Sequence, residues 1–132
     1  METTFDPKKI TLTVAGRYIT GYSADGIIVL THNSNAVIPS IGAQGDTVYA
    51  INADNSGNAA IPLQSTSPSL AYLRDLCARK VQFQFSVVDA NENDAIRVSE
   101  SNCRILKMPD TPRNKENTTV TVNIYIPSLN YR

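Results

Sequence analysis

The chain has 132 residues, a length that suits one domain with a single core, and its twelve basic residues balance twelve acidic ones. Zero net charge and only 18% charged residues argue against a basic nucleic-acid binder and favour a protein that associates. No apolar run approaches the ~20 residues of a membrane span, and "METTFDPKKI" lacks the apolar segment of a signal peptide, so we expect neither.

Alternating apolar and polar residues predict the first strands. In "KITLTV", Ile10, Leu12 and Val14 share one face, which is typical of a half-buried strand. "AGR" then turns the chain, so that "RYITGY" returns as the second strand of a hairpin. The next strand, "IIVLT", is apolar enough to be covered on both faces.

A long segment without a clear pattern follows, from His32 to Asp46. It contains Pro39, Gly42 and Gly45, and we predict a loop over residues 32–46. Loops of this length are usually functional or disordered. The part "GAQGD" is rich in glycine but is not followed by Lys-Ser/Thr or by a helix, so it is not a phosphate-binding loop.

Two strands, "TVYAIN" and "AAIPLQS", flank the segment "ADNSGN". Asn52, Asp54, Ser56 and Gly57 have the spacing of a calcium-binding loop. However, Asp54 is a single carboxylate, and Leu63 occupies the twelfth position, where such a loop needs an acidic ligand. We therefore predict a hairpin turn between the two strands, and no metal site.

A proline and a helix come next. Pro62 cannot donate to a strand ladder, so we expect an edge strand or a bulge there. "TSPSLAYLRDLCARK" predicts one α-helix at about residues 67–79, with Ser67 as N-cap and Pro68 at the first helical position. Its apolar face consists of Leu70, Leu73, Leu76 and Cys77.

The remaining chain again alternates, in "VQFQFSV" and "TTVTVNIYI". Between them, the apolar register of "AIRVSESNCRILK" shifts, which predicts a bulge near residues 100–102. The fold class is therefore mainly β, a sandwich or barrel of antiparallel strands with one flanking α-helix, in a single domain over 1–132. Uncharged polar faces of these strands suit plain surface, a subunit contact or the wall of a channel; they carry Gln82, Gln84, Ser86, Thr121 and Asn123.

No catalytic constellation is visible. His32 is the sole histidine and falls in the predicted loop, where a solvated or interface role is favoured. Cys77 is expected in the core and Cys103 has no activating base nearby in sequence, so neither is a predicted nucleophile. Two cysteines do not form a disulfide framework and favour a reduced, cytoplasmic protein. We expect no enzyme and no cofactor.

The order of these elements resembles the tail tube proteins of contractile-tailed bacteriophages, which stack into the inner tail tube. The pattern comprises "FDPKKITLTVAGRYITGYSADG", a long loop that ends in "GAQGD", the segment "TVYAINADNSGNAAIPLQSTSPSLAYLRDL", and a final alternating strand. The "QGD" turn, the "N...G" hairpin and the "TSPSL..L" helix start are its most specific parts. The apolar stretch Ile27 to Leu30 departs from the family, in which more acidic residues precede the loop.

The resemblance implies a structural protein of the virion that forms stacked hexameric rings. Viral DNA would pass the lumen during ejection without specific binding, a sheath protein would enclose the tube, and a baseplate or tail initiator would start it. Type VI secretion tubes share this architecture, and subunits would assemble in the host cytoplasm. The alternatives are a monomeric β-sandwich binding module, or another head–tail or tail-terminator ring protein.

Within this family picture, the long loop reaches the next ring, because its apolar residues would be costly to leave in water. The expected inter-ring contact residues are Val37, Ile38, Pro39, Ile41, Gly42, Gln44, Gly45 and Asp46. The candidates for the lumen wall are Gln82, Gln84, Ser86, Thr121 and Asn123. A lumen through which DNA slides should be uncharged, since contacts to phosphate dominate affinity for nucleic acid.

Overall fold

The computed structural model describes residues 7–24, 26–91, 96–113 and 118–131. These residues contain a short 3-10 helix at Pro7–Lys9, and they contain one α-helix, α1, at Ser69–Arg79. The strands are β1 Ile10–Val14, β2 Arg17–Tyr18, β3 Val29–His32, β4 Val37–Ile41, β5 Thr47–Ile51, β6 Gly57–Gln64, β7 Phe83–Asp89, β8 Arg97–Cys103 and β9 Thr119–Ile126.

Two antiparallel sheets share one hydrophobic core. The first sheet has the order β2-β1-β7-β8, and the second has the order β3-β6-β9. Every second side chain of the long strands points inward, so Phe85 and Val98 of the first sheet meet Ile61 and Ile124 of the second in a single buried cluster. Hydrogen bonds between Arg104, just after β8, and Tyr125 of β9 join the two sheets at one corner.

Local signals in the sequence are confirmed at the first hairpin and at the bulge. β1 and β2 pair across Ala15 and Gly16, whose φ angles of 52° and 85° are those of a tight hairpin turn. In the pairing of β7 with β8, Phe85 faces Glu100 but Phe83 faces Cys103, so β8 carries one extra residue. The predicted bulge at 100–102 is therefore present.

The predicted coverage of "IIVLT" on both faces is wrong within the single chain. β3 is an edge strand of the second sheet, and Val29 on its outer face is 60% exposed. Ile28 and Leu30 are partly buried against the core. The prediction fails because the second sheet packs on the core through one face, so only alternate residues of β3 are covered.

The expectation for Pro62 is also wrong, since β6 is the central strand of its sheet. Pro62 pairs with Thr121 of β9, while the pairing with β3 ends at Ala60. The main-chain groups of Pro62 point away from β9, because its carbonyl accepts from the Ser23 N–H at 3.0 Å. Because the pairing with β3 ends before Pro62, the N–H that proline lacks is not needed for a hydrogen bond between strands.

The helix begins one residue later than predicted, at Ser69, with Pro68 rather than Ser67 at the N-cap position. Ser67 still serves the helix start, because its hydroxyl accepts from the Ser69 N–H at 3.2 Å. The same hydroxyl donates to the Thr20 carbonyl at 2.6 Å and so ties α1 to the chain after β2. The buried residues of the helix are Ser69, Leu70, Leu73 and Leu76.

The segment predicted as a long loop at 32–46 contains a strand instead. β4 pairs with β5 in five residue pairs, from Val37 opposite Ile51 to Ile41 opposite Thr47. "GAQGD" is the turn, closed by the Gly42 N–H to the Asp46 carbonyl at 2.7 Å. We refer to residues 36–52 as the ribbon. The predicted hairpin across "ADNSGN" is consequently wrong, because β5 pairs with β4 while β6 pairs with β3 and β9.

Candidate assembly surface

The ribbon exposes apolar side chains on both of its faces. All ten residues of β4 and β5 are exposed, including Ile41 at 74%, Tyr49 at 69% and Ile51 at 84%. Asp46 in the turn is the only charged residue between 36 and 52. Because side chains alternate along strands, the two faces differ. One face carries Val37, Pro39, Ile41, Thr47, Tyr49 and Ile51, and the other carries Ile38, Ser40, Val48 and Ala50.

The residues with calcium-loop spacing build the base of the ribbon. The Asn52 N–H donates to the Ala36 carbonyl at 2.9 Å, and the Asn52 side chain donates to the Asn35 carbonyl at 2.8 Å. Asp54 accepts from the Ser56 N–H at 3.0 Å and from the Ser34 hydroxyl at 2.9 Å. These bonds, first that from the Ser56 backbone, lower the pKa of the exposed Asp54 carboxyl.

A second set of contacts ties the carboxyl end of the described chain to this base. His32 Nε2 lies 3.0 Å from the Leu129 carbonyl, which can only accept, so this nitrogen carries the proton. Its ring contacts that of Tyr131 at 5.9 Å between centroids. Asn55 and Leu129 also bond each other through their main chains at 2.9 Å. His32 therefore has a structural role in holding the last described residues against the ribbon base.

The candidate lumen residues lie on two faces that point away from each other. Gln84 and Ser86 stand on the outer face of the first sheet, where Gln84 donates to the Ser99 hydroxyl at 3.1 Å. Thr121 and Asn123 stand on the outer face of the second sheet. Since the inner faces share the core, one subunit cannot turn both sets toward the same lumen. Gln82 precedes β7 and is exposed.

Among the described residues, the segment 107–112 covers part of the outer face of the second sheet. Residues 107–112 border, with Thr121 and Asn123, a cavity of about 330 Å³. Thr13, Gly16, Gln84 and Ser86 line a smaller cavity of about 160 Å³ on the first sheet, and none of these four residues is charged.

Neither cysteine is placed for catalysis. Burial raises the pKa of the Cys103 thiol to about 11, with a smaller contribution from the negative charge of Glu100. A raised pKa keeps the thiol protonated, and a protonated thiol is a poor nucleophile. Cys77 lies partly buried on α1, packed against the core. Within the described ranges, no three His, Cys, Asp or Glu residues cluster as metal ligands would.

Two features of this surface escaped the sequence prediction. Val48, Tyr49 and Ile51 fall in a strand that the sequence predicts to pair with "AAIPLQS", because the pattern does not show which strand is the partner. A groove beside β1 and β2, about 580 Å³ in volume, is lined mainly by apolar residues that include Leu12, Tyr18, Ile19, Tyr22 and Ile27. These residues are distant along the chain from the ribbon, and no local pattern marks the groove.

The fold itself is shared with a known structure. No protein-family model matches the chain, and no curated protein matches it in sequence. The predicted class, mainly β with antiparallel sheets and one helix, is confirmed. A chain in the cryo-EM structure of the anti-feeding prophage cap (AFP tube terminating cap) superposes with a TM-score of 0.64 at 9% sequence identity, covering 100% of this chain and 93% of that chain. At this identity the likeness establishes the fold. Among the described residues, no helix is long and apolar enough to cross a membrane.

Proposed function

We propose that this protein is a structural subunit of a phage-tail-like tube, which assembles through its ribbon. The observation that carries the proposal is the ribbon itself, two strands with apolar side chains uncovered on both faces. An isolated pair of strands is marginally stable in water, and apolar patches of this kind mark protein–protein contacts. A neighbouring subunit that covers the ribbon would stabilise the strand pair and would remove its apolar side chains from water.

The leading form of the proposal is the inner tube, made of stacked hexameric rings. The contact residues expected from the sequence, Val37 to Asp46, form β4 and the turn of the ribbon. An element that stands away from the core can reach a neighbour without unfolding its own subunit. Chains that meet through two different surfaces build rings when the rotation closes and filaments when it does not.

The lumen wall in this proposal is the outer face of the first sheet. Gln84 and Ser86 lie there, uncharged and without the roof that residues 107–112 provide over the second sheet. DNA would slide past the hydroxyl and amide groups of these residues, and Arg97, which alternates with buried Val98 onto the same face, would be the positive charge it meets there. A sheath, and a baseplate or initiator, would be the other partners, and the role is structural rather than catalytic.

A second candidate is a ring that ends the tube. It is favoured by the likeness to a chain from a tube terminating cap. A terminator would form a single ring and bind a tube end, whereas a tube protein would stack its rings. Both candidates need the ribbon to be covered, but only the tube protein needs a surface that receives it on the next copy.

Negative-stain electron microscopy at high concentration, with light-scattering mass at low concentration, tests the proposal. Stacked rings with a central hole are expected for the tube protein, and separate rings for the terminator. A protein that remains at its monomer mass of 14.4 kDa at all concentrations would contradict both and favour a monomeric binding module.

A further inference from the structure

The groove beside β1 and β2 is an apolar surface that the fold leaves unfilled. Its volume of about 580 Å³ is within the ~300–1,000 Å³ that ligand pockets have, so it can hold a few side chains but not a whole strand pair. Tyr18 stands at the groove with 68% of its surface exposed, and Ile19 is buried beneath. Nothing among the described residues fills this space.

The groove and the ribbon lie toward opposite ends of the second sheet. Gly21, which lines the groove, accepts from the N–H of Gln64, the last residue of β6. His32, at the base of the ribbon, pairs with Gly57, the first residue of β6. The eight residues of β6 span about 26 Å at ~3.3 Å per residue. All strand residues of the ribbon are exposed, so the ribbon does not fill the groove of its own chain.

The two surfaces also match in chemistry. The groove is lined mainly by apolar side chains, and the ribbon strands carry no charge, since Asp46 in the turn is the only charged residue between 36 and 52. Next to this turn, Ile41 lies on the same face as Tyr49, two residue pairs along. The end of the ribbon therefore offers apolar side chains, and most of the groove wall is apolar as well.

We propose that the groove receives the end of the ribbon, through Ile41 and Tyr49, from a second copy of this chain. This contact joins two different surfaces at opposite ends of the subunit, so each copy in a column receives one ribbon and offers one. The inference rests on the proposed function and adds to it the surface that receives the ribbon.

Disulfide trapping between two separate variants tests this contact. In a Cys77→Ala background, one protein carries Ile41→Cys and the other carries Tyr18→Cys; Cys103 stays, because it is fully buried. Ser40→Cys replaces Ile41→Cys in the matched control, since Ser40 is adjacent but on the opposite face of the ribbon. Both proteins are mixed, oxidised and analysed by electrophoresis without reductant. Their urea midpoints confirm that each variant is folded. If the Tyr18→Cys protein is not folded, Thr20→Cys, which also lies at the groove, replaces it.

We expect a covalent dimer in the mixture of Ile41→Cys and Tyr18→Cys, and its loss in the mixture that contains Ser40→Cys. Equal dimer in both mixtures, no dimer in either, or a dimer from Ile41→Cys alone would overturn the contact. If micrographs of the unmodified protein still show rings or tubes in those cases, the proposed function stands and only the groove assignment fails. If they show neither, both fail.

Discussion

Gly57 shows how closely one residue can be constrained where the ribbon base meets the second sheet. A Cβ atom at this position would lie 2.5 Å from Leu129 Cδ2, 2.9 Å from Leu129 Cβ and 3.0 Å from the Thr31 carbonyl oxygen. Leu129 is almost fully buried and is itself bonded to Asn55, so it has little room to move. The absence of a side chain at Gly57 is thus a packing requirement.

Gly57→Ala should lower the free energy of unfolding by about 1–3 kcal/mol, the usual cost of overpacking a core. Gly42→Ala is the matched control, because a Cβ there meets only the Asp46 carbonyl oxygen at an ordinary 3.7 Å. Its effect should stay within about 0.5 kcal/mol. Urea denaturation measures both, and equal losses in the two variants would contradict the packing argument.

Cys103 should make the protein less stable in alkali. Burial raises its pKa from 9.0 to about 11 in the folded state, so unfolded chains lose this proton first as the pH rises. Folded protein then binds more protons than unfolded protein between pH 9 and 11, and stability falls there by at most ~1.4 kcal/mol per pH unit. Below pH 9 the contribution is fully present.

Urea unfolding at pH 8, 9 and 10 checks this dependence in the unmodified protein and in Cys103→Ala. The variant should lose less stability over this range, whatever its stability at pH 8. Tyr22 contributes mainly at higher pH, because burial raises its pKa from 10.0 to about 12. Parallel curves for the two proteins would show that the thiol does not titrate as expected.

At the scale of elements, the ribbon is an appendage that the core does not require. None of its strand residues is buried, and the Asn52 N–H closes it against the Ala36 carbonyl. A two-residue Asn-Gly turn inserted between Ala36 and Asn52 can therefore replace residues 37–51.

This excision should leave the urea midpoint nearly unchanged, since it removes no buried side chain, and it should abolish rings and tubes in electron micrographs. Tubes of normal length from the excised protein would show that the ribbon has no role in assembly. An unfolded product would instead show that the ribbon stabilises the subunit, contrary to its exposure.

The elements also show which sequence signals are sufficient to predict a strand and which are not. Strict alternation identified β1, β7 and β9, because each of these strands has one face in the core. β5 is also predicted as a strand, in "TVYAIN", but β4 is not, because both of its faces are exposed and Pro39 inside it reads as a loop residue. Pairing of β5 with β4 rather than β6 depends on the hydrogen bonds at the ribbon base, which involve residues too scattered to form a pattern.

At the scale of the whole molecule, two sheets packed through a shared core offer two opposite outer faces to an assembly. The sequence identified uncharged polar residues on both faces but could not show that they face opposite ways. That fact appears only when β7 and β9 are placed in different sheets. A tube made of such subunits must turn one face inward and the other outward.

The inward face can be found by labelling assembled tubes with a bulky polymer-linked maleimide. In the Cys77→Ala background, Gln84→Cys should react much more slowly in tubes than in dissociated subunits, because the lumen admits large reagents only from its ends. Asn123→Cys, on the other sheet, is the matched control and should keep more of its reactivity. If assembly slows the labelling of Asn123→Cys more than that of Gln84→Cys, the lumen lies against the second sheet instead.

Pro39 has a consequence for how the subunit avoids uncontrolled growth. In the ribbon, the Gly42 N–H donates to the Asp46 carbonyl and the Asn52 N–H donates to the Ala36 carbonyl, so the main chain at positions 36 and 42 faces β5. By alternation, the main chain at Pro39 points to the free edge of β4. Its ring leaves no donor there for another strand to use. The ribbon can thus bind a partner through its side chains, but its edge is a poor template for pairing with another strand. Such edge-to-edge pairing can lead to amyloid-like aggregation. Pro39, which made β4 read as a loop in the sequence, would therefore protect a free subunit from edge-to-edge pairing before the proposed assembly covers the ribbon.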